Sequence, residues 1–289
     1  MFRFLVSCFS FLVPCAFFLH SSANTISQNL YINRGVFTTV KQTTFPYLSF
    51  NDSANFNSGN KVIVLTTNDT ILFTIFNNDS VQHGFAIKNF TISPLTINVG
   101  DSATITFFSS EEKIFIYYDN LNFPNNAYLG MAGMICVNNS SNKKYYWNIK
   151  EHQTNFNNEI ANGNPVNWKS YDPDYFTING LSFPELQNDS TAAVNATVGD
   201  TVLIFVANTG YSLHSIHFHG FHCKVLFSTS SRIIKNSEKD TFPMQSMDGA
   251  VLQMVPDKTG KYSVHDHNLV AVSGGGTHPN GMFLIMEIQ

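Results

Sequence analysis

The residues most able to do chemistry in this sequence are its histidines. Seven of the ten lie in two short segments, LHSIHFHGFHC (213–223) and HDHNLVAVSGGGTHPNGM (265–282). Residues two apart share one face of a β-strand, so His217 pairs with His219 and His265 pairs with His267. If the two strands are neighbours, the pattern predicts that four imidazoles converge on one site.

A cluster of four imidazoles favours copper or zinc, and the affinity order of divalent ions favours copper. The opposite face carries a second candidate group. Asp266 lies between the histidines of its pair, and the odd spacing of His214 lets it point the same way as Asp266. His278 and Met282 complete this predicted group. Any one of these histidines could instead be a surface or hydrogen-bonded imidazole.

The apolar stretches of the chain are short and β-branched, as in TILFTIF, SATITFF and TVLIFVA, with Asn, Asp, Gly or Pro between them. This punctuation is typical of strands in antiparallel sandwiches. The segment NDTILFTIFNNDSVQHGFAI (68–87) resembles GDTVLIFVANTGYSLHSIHFHGF (199–221) in order and spacing, and each is followed by a Gly-Met strand. The repeat predicts two copies of one β-domain.

With 289 residues, 43% of them hydrophobic, the chain can form two cores. Residues 1–23 read as a secretory signal peptide, which predicts export to a periplasmic or extracellular location without a membrane anchor. We place the first domain at 24–150, a linker at 151–170 within a polar stretch, and the second domain at 171–289. His152, in the polar linker, is predicted to be solvated.

Several function classes have no support in the sequence. The formal net charge is −4 and no basic stretch is present, so nucleic-acid binding is not expected. No Ser/His/Asp arrangement, phosphate loop or paired catalytic carboxylate has a recognisable spacing. Cys136 and Cys223, which follow the predicted leader, could pair or remain buried thiols.

The second repeat resembles the C-terminal cupredoxin domain of the multicopper oxidases. HSIHFHG (214–220) resembles the His-x-x-His-x-His-Gly motif of that family, and HDHN…HPNGM resembles its His-Cys-His…His…Met motif. The internal repeat extends the resemblance to the first domain. The resemblance implies an all-β chain of two tandem cupredoxin-like Greek-key β-sandwich domains.

The resemblance also implies roles for these residues. The blue type 1 copper site would map to His214, Asp266, His278 and Met282, with Asp266 in place of the cysteine. That replacement removes the thiolate on which blue-copper electron transfer depends. The second domain's half of a trinuclear copper cluster would map to the two predicted imidazole pairs, His217, His219, His265 and His267.

The first repeat departs further from the family pattern. We align VQHGF with the His217–His219 pair, so His83 is the one imidazole retained there. Val81, Tyr118 and Asn120 then occupy positions where the family has imidazoles. A complete trinuclear cluster, and laccase chemistry with it, is not expected from this chain alone.

The sequence therefore predicts an exported copper-binding protein similar to multicopper oxidases, with His83 helping the four-histidine site across the domain interface. Oxidoreductase activity on a small-molecule or metal-ion substrate is one expectation. The alternatives are a copper-binding or copper-delivery protein without turnover and a mononuclear zinc protein. The resemblance also implies a homotrimer.

Overall fold

The computed structural model describes residues 24–90 and 95–289. The described chain forms two β-sandwiches in tandem, each built from two packed sheets. The all-β fold class predicted from the short apolar stretches is confirmed. The predicted signal peptide, residues 1–23, lies outside the described residues. No helix in the described part of the chain has the length and apolar character needed to cross a membrane.

The first sandwich pairs the sheet β2-β1-β4-β7 with the sheet β3-β9-β8-β5-β6. Its elements are β1 (Thr25–Thr38), β2 (Thr44–Asn51), β3 (Ile63–Leu65), β4 (Thr70–Asn77), β5 (His83–Ile87), β6 (Leu95–Ile97), β7 (Ser102–Phe108), β8 (Lys113–Tyr118), helix α1 (Asn125–Leu129) and β9 (Ala132–Val137). Along β4 the buried residues alternate with more exposed ones, as expected for a strand with one face on the core.

The second sandwich pairs the sheet β11-β10-β13-β18-β15-β16 with the sheet β12-β20-β19-β14-β17. Its strands and its helix are β10 (Lys143–His152), α2 (Thr154–Ala161), β11 (Tyr175–Ile178), β12 (Asn195–Ala196), β13 (Val202–Asn208), β14 (His214–Phe218), β15 (Cys223–Ser228), β16 (Glu238–Lys239), β17 (Thr241–Met244), β18 (Asp248–Met254), β19 (Gly260–Asp266) and β20 (Phe283–Ile288). Three 3-10 helices lie at Trp168–Ser170, Glu185–Asn188 and Leu269–Val272.

The pairing of the strands follows the sequence repeat. β1 runs parallel to β4 in the first sandwich, and β10 runs parallel to β13 in the second. The second sandwich therefore begins with β10 at Lys143, before the boundary at residue 150 that the sequence predicts. The polar composition of residues 138–170 does not indicate a strand, because many polar side chains of β10 face the other domain instead of solvent.

The two faces of β10 serve different domains. Trp147 and Ile149 belong to the core of the second sandwich. On the other face, Asn148 donates to the carbonyl of Ala132 at 3.0 Å, and Lys150 donates to the carbonyl of Gly130 at 2.6 Å. Because side chains alternate along the strand, β10 contributes to the core of the second sandwich with one face and binds the first sandwich with the other.

The domains also share an apolar interface. Residues of β8 and β9, including Ile116 and Met134, pack against residues of β13 and β18, including Phe205 and Val251. Because this interface is apolar, it fixes the two sandwiches against each other.

Two predictions about single residues are resolved by the packing. The prediction that His152 is solvated is wrong, because His152 is fully buried and packs against the rings of Phe45 and Tyr47. Burial, reinforced by the nearby Lys150 charge, lowers the pKa of His152 to about 3. Cys136 and Cys223 are free buried thiols, so they do not form the disulfide that was one alternative.

Candidate metal centre

Neighbouring strands β14 and β19 bring the two predicted imidazole pairs together. The strands are antiparallel, and His217 lies directly opposite His265. The residues that alternate with the histidines, Ile216 and Val264, are buried in the core, so the histidines face outward. The ring centroids of His217 lie 4.8 Å from His219, 5.7 Å from His265 and 5.3 Å from His267. We call these four residues the histidine cluster.

Hydrogen bonds at Nδ1 leave the Nε2 atoms of two of these rings unprotonated, so each has a lone pair. The hydroxyl of Thr241 donates to Asp240 at 3.0 Å, so its oxygen accepts from His217 Nδ1 at 2.9 Å. His265 Nδ1 donates to the carbonyl of Asp266 at 2.8 Å. In both rings the proton therefore sits on Nδ1, and Nε2 is the atom able to bind a metal.

One pair of nitrogens already has the spacing of two ligands on one ion. His219 Nε2 lies 3.0 Å from His265 Nε2, a hydrogen bond in which His219 is the donor. Two nitrogens bound to one ion at about 2.0–2.1 Å lie roughly 3 Å apart when the angle between them is near 90–100°. Partial burial and the neighbouring imidazoles lower the pKa of His219, which favours the uncharged form that binds metals.

The remaining rings are not preset for a single ion. Among residues 24–90 and 95–289, no group of three or more His, Cys, Asp or Glu side chains has its donor atoms arranged around one metal position. His219 and His267 are exposed, so their rings can rotate without disturbing the core. The donor set fits copper or zinc by chemistry, and three or four ligands on one ion require this rotation.

Behind the histidine cluster, His214 is held between two buried carboxylates. His214 Nδ1 lies 2.5 Å from Asp266 Oδ2, and His214 Nε2 lies 2.8 Å from Glu151 Oε2. All three side chains are 0–1% exposed. Burial opposes the charge of the imidazolium, but the two carboxylates outweigh it and raise the pKa of His214 to about 9. We call this arrangement the second triad.

The second triad changes the interpretation of the predicted type 1 group. Both nitrogens of His214 are taken by carboxylates, so the ring has no nitrogen left for a metal. Met282 is fully buried in the core and meets Asp266 through its backbone carbonyl, while His278 is exposed on the loop before β20. The structure thus joins His214 and Asp266 in a hydrogen-bonded ion network with Glu151, and Met282 lies beside Asp266 without belonging to that network.

The first domain contains the counterpart, which we call the first triad. His83 Nδ1 lies 2.7 Å from Asp119 Oδ2, and His83 Nε2 lies 2.8 Å from Asp79 Oδ2. Burial works against the charged ring, but hydrogen bonds to Asp119 and Asp79 raise the pKa of His83. His83 was expected to help the four-histidine site, but it is instead fully buried inside its own domain.

Matching contacts show which residues of the two domains correspond. The N–H after each histidine, from Gly84 or Ser215, donates to the Asp119 or Asp266 carboxylate at 2.8 and 3.1 Å. His83 therefore corresponds to His214, which corrects the alignment of His83 with the His217–His219 pair. Counting along the strands, the histidine cluster corresponds to Ala86, Lys88, Tyr118 and Asn120. The first domain carries no imidazole at these four positions.

Sequence analysis did not identify several residues of these networks. Glu151 reaches His214 from β10, 63 residues away in the chain, and no local motif links the two. Thr241 orients His217 from the neighbouring strand β17. Asp79 lies four residues before His83, which is a signal that sequence reasoning could have used.

Comparisons with known proteins show which family the second domain matches and which fold the chain has. Residues 141–278 match the model of the family described as multicopper oxidase. No curated protein matches the sequence. The fold is similar to that of a blue copper oxidase from Nitrosomonas europaea, with a TM-score of 0.77 and 19% identity over 92% of this chain and 86% of that one.

Two further structures have the same fold. A multicopper oxidase, mgLAC, aligns with a TM-score of 0.76 and 19% identity, covering 92% of this chain and 86% of that one. A copper nitrite reductase from Nitrosomonas europaea aligns with a TM-score of 0.71 and 19% identity, covering 92% of this chain and 94% of that one. The resemblance read from the histidine motifs is confirmed: the second domain belongs to the multicopper oxidase family, and the chain as a whole has the cupredoxin-like fold of two tandem β-sandwiches.

Proposed function

We propose that this protein binds copper through His217, His219, His265 and His267 and acts there as an oxidoreductase on a small molecule or metal ion. The observation that carries the proposal is the convergence of four imidazoles on one outward face of β14 and β19. Nitrogen ligands suit copper and zinc, and the affinity order of divalent ions favours copper. Bound copper would supply one-electron redox chemistry.

The chain's own residues prepare the cluster for this role. Thr241 and the carbonyl of Asp266 hold protons on Nδ1 of His217 and His265, which directs their Nε2 atoms toward the metal. His219 and His267 are exposed, so a small molecule or metal ion can reach the cluster from solvent. Asp240, which accepts a hydrogen bond from the Thr241 hydroxyl, places a negative charge at the rim of the histidine cluster.

The proposed chemistry differs from that of a laccase. His214 offers no free nitrogen, so the type 1 position has no route for electrons through a bound copper. The first domain has Ala86, Lys88, Tyr118 and Asn120 where the second has imidazoles. Substrates must therefore exchange electrons by direct contact at the histidine cluster.

A second candidate function is copper binding or delivery without turnover. The same observation at His214 favours it, because a site without an internal electron donor can hold or pass on an ion without reducing a substrate. Oxygen uptake by the copper-loaded protein with phenols, Cu(I) and Fe(II) separates the two. Uptake faster than the protein-free rate with any of these donors supports the oxidoreductase, and uptake at the protein-free rate with all of them supports the carrier.

Metal analysis tests the binding step itself. Untagged protein is loaded with equal copper and zinc, dialysed and compared with a His265→Ala/His267→Ala variant. His222→Ala is the matched control, since His222 is exposed beside the same strand but outside the cluster. We expect bound copper to be lost in the double variant and kept in the control. The same amount of bound copper in all three proteins would contradict the proposal. Bound zinc without copper would favour the mononuclear zinc alternative.

Export and assembly are also proposed. The composition of residues 1–23 supports cleavage and export to a periplasmic or extracellular location. Mass analysis of the protein secreted or released from the periplasm would test this. The homotrimer rests on the family resemblance, and light scattering of the copper-loaded protein measures it directly.

A further inference from the structure

We propose that Asp266 is a positioning residue: with His214 and Glu151 it forms a metal-free tie that fixes the spacing of the two imidazole pairs. This inference rests on the proposed copper-binding function. The positioning role requires no metal in the second triad, because the buried ion network of its three side chains is sufficient for it.

The contacts of Asp266 reach both histidine strands. Its Oδ1 accepts from the N–H of Ser215 at 3.1 Å and from the N–H of Asn268 at 2.9 Å. Ser215 lies two residues before His217, and Asn268 directly follows His267. One side chain thus joins the start of β14 to the end of β19, next to the residues that present the imidazoles.

The other end of the tie anchors these strands to the opposite sheet. Glu151, on β10, binds His214 through Oε2 and accepts from the N–H groups of Tyr211 and Ser212 through Oε1 at 2.8 and 2.6 Å. The three triad side chains are buried, so water cannot replace a lost contact. Removal of one partner leaves the others unpaired in the core.

The first domain builds the same tie with a different source for one carboxylate. There Asp79 occupies the position that matches Gly210, because Asp79 N–H and Gly210 N–H donate to Asn77 and Asn208 in the same way. A Cβ on Gly210 would lie 1.8 Å from Glu151 Oε2, so the glycine makes the space that Glu151 fills. Two different solutions to one geometry indicate that the carboxylate–imidazole–carboxylate arrangement itself is required at this position.

A buried ion network costs desolvation and adds little stability over apolar packing, so its best use is to specify geometry. The first triad has no imidazoles beside Asp119, since Tyr118 and Asn120 flank it. The first domain therefore carries a tie without a histidine cluster, and it provides the matched control.

The main experiment compares Asp266→Asn with Asp119→Asn. Copper dissociation constants are measured by competition titration, the copper hyperfine splitting by EPR, and the thermal midpoint by circular dichroism. We expect both variants to lose thermal stability, but only Asp266→Asn to weaken copper binding, by about 10–100-fold, with a changed hyperfine splitting. Wild-type affinity and spectrum in Asp266→Asn would overturn the proposal, as would equal weakening in Asp119→Asn.

A rescue variant tests the geometry rather than the sequence. Glu151→Ala should weaken copper binding in the same way as Asp266→Asn. Glu151→Ala/Gly210→Asp transplants the first-domain solution, and we expect it to recover most of the lost copper affinity. Recovery of the thermal midpoint without recovery of copper affinity would contradict the positioning role.

The inference can fail separately from the proposed function. If the wild-type protein binds no copper, the proposed function fails. The tie is then tested in the metal-free protein by measuring the NMR chemical shifts of the imidazole nitrogens of His217 and His265. These shifts should change in Asp266→Asn and stay unchanged in Asp119→Asn. Unchanged shifts in both variants would reject the tie on its own.

Discussion

The two triads share one geometry but balance their charges differently. In the first, Arg34 binds Asp79 through two nitrogens at 2.7 Å each, so a second cation supports the carboxylate. In the second, Glu151 and Asp266 have His214 as their shared cation and take further bonds from backbone N–H groups. The interior position therefore holds an imidazole of raised pKa between two carboxylates in both domains, whereas the outward face carries a histidine cluster in the second domain only.

Removal of the central imidazole should show the largest difference between the triads. His214→Ala leaves two buried carboxylates without their cation, which we expect to cost about 3–5 kcal/mol of unfolding free energy. His83→Ala should cost less, because Arg34 still pairs with Asp79. Urea unfolding at neutral pH measures both, and an equal loss in the two variants would show that Arg34 gives no compensation.

The pH dependence of stability separates the second triad from its neighbour Lys150. The pKa of His214 is raised to about 9, so its contribution is present below its unfolded pKa of about 6.5 and is lost as the pH rises to 9. Burial lowers the pKa of Lys150 to about 7, so its unfolded form binds more protons and stability rises above pH 7.

These two slopes have opposite signs, each about 1.4 kcal/mol per pH unit, so they offset one another between about pH 7 and 9. Lys150→Met removes the rising contribution. We therefore expect the unfolding free energy of Lys150→Met to fall as the pH rises through this range, while that of the wild type stays nearly constant. Urea unfolding at a series of pH values measures both. A constant difference between the two proteins would contradict the assignment of Lys150.

A methyl group at Gly210 tests the space that distinguishes the two solutions. Gly210→Ala would place Cβ 2.7 Å from Glu151 Cδ, and we expect it to cost about 1–3 kcal/mol through displacement of the carboxylate. In a Glu151→Ala background the same change should cost little, because its obstacle is gone. Additive losses in a double-mutant cycle would mean that the two residues are not coupled.

The smallest expected effect comes from adding imidazoles to the first domain. Ala86 lies opposite Tyr118 in the same register as His217 opposite His265. Ala86→His/Tyr118→His should therefore add a second, weaker copper site, seen as extra bound metal at high copper by titration. If the variant folds and binds no additional copper, strand register alone is insufficient to make the site.

Part of this architecture follows from local sequence patterns. The alternation of apolar residues and the internal repeat predicted the two sandwiches, and the spacing of His217, His219, His265 and His267 predicted that they share a face. Period-two alternation requires only a strand, so it survives any detail of packing. The predicted boundary near residue 150 falls within β10, because this strand carries polar residues on its interdomain face and composition cannot separate such a strand from a linker.

The fold class, the family resemblance and the four outward imidazoles follow from sequence alone, because each depends on residue type and short-range spacing. Tertiary structure decided the state of His214, since the carboxylate of Glu151 arrives from a strand far away in the chain. It also decided that His83 belongs to a buried triad and that His152 is enclosed by aromatic rings. These outcomes depend on which side chains meet across strands and domains, and local periodicity carries no information about such meetings.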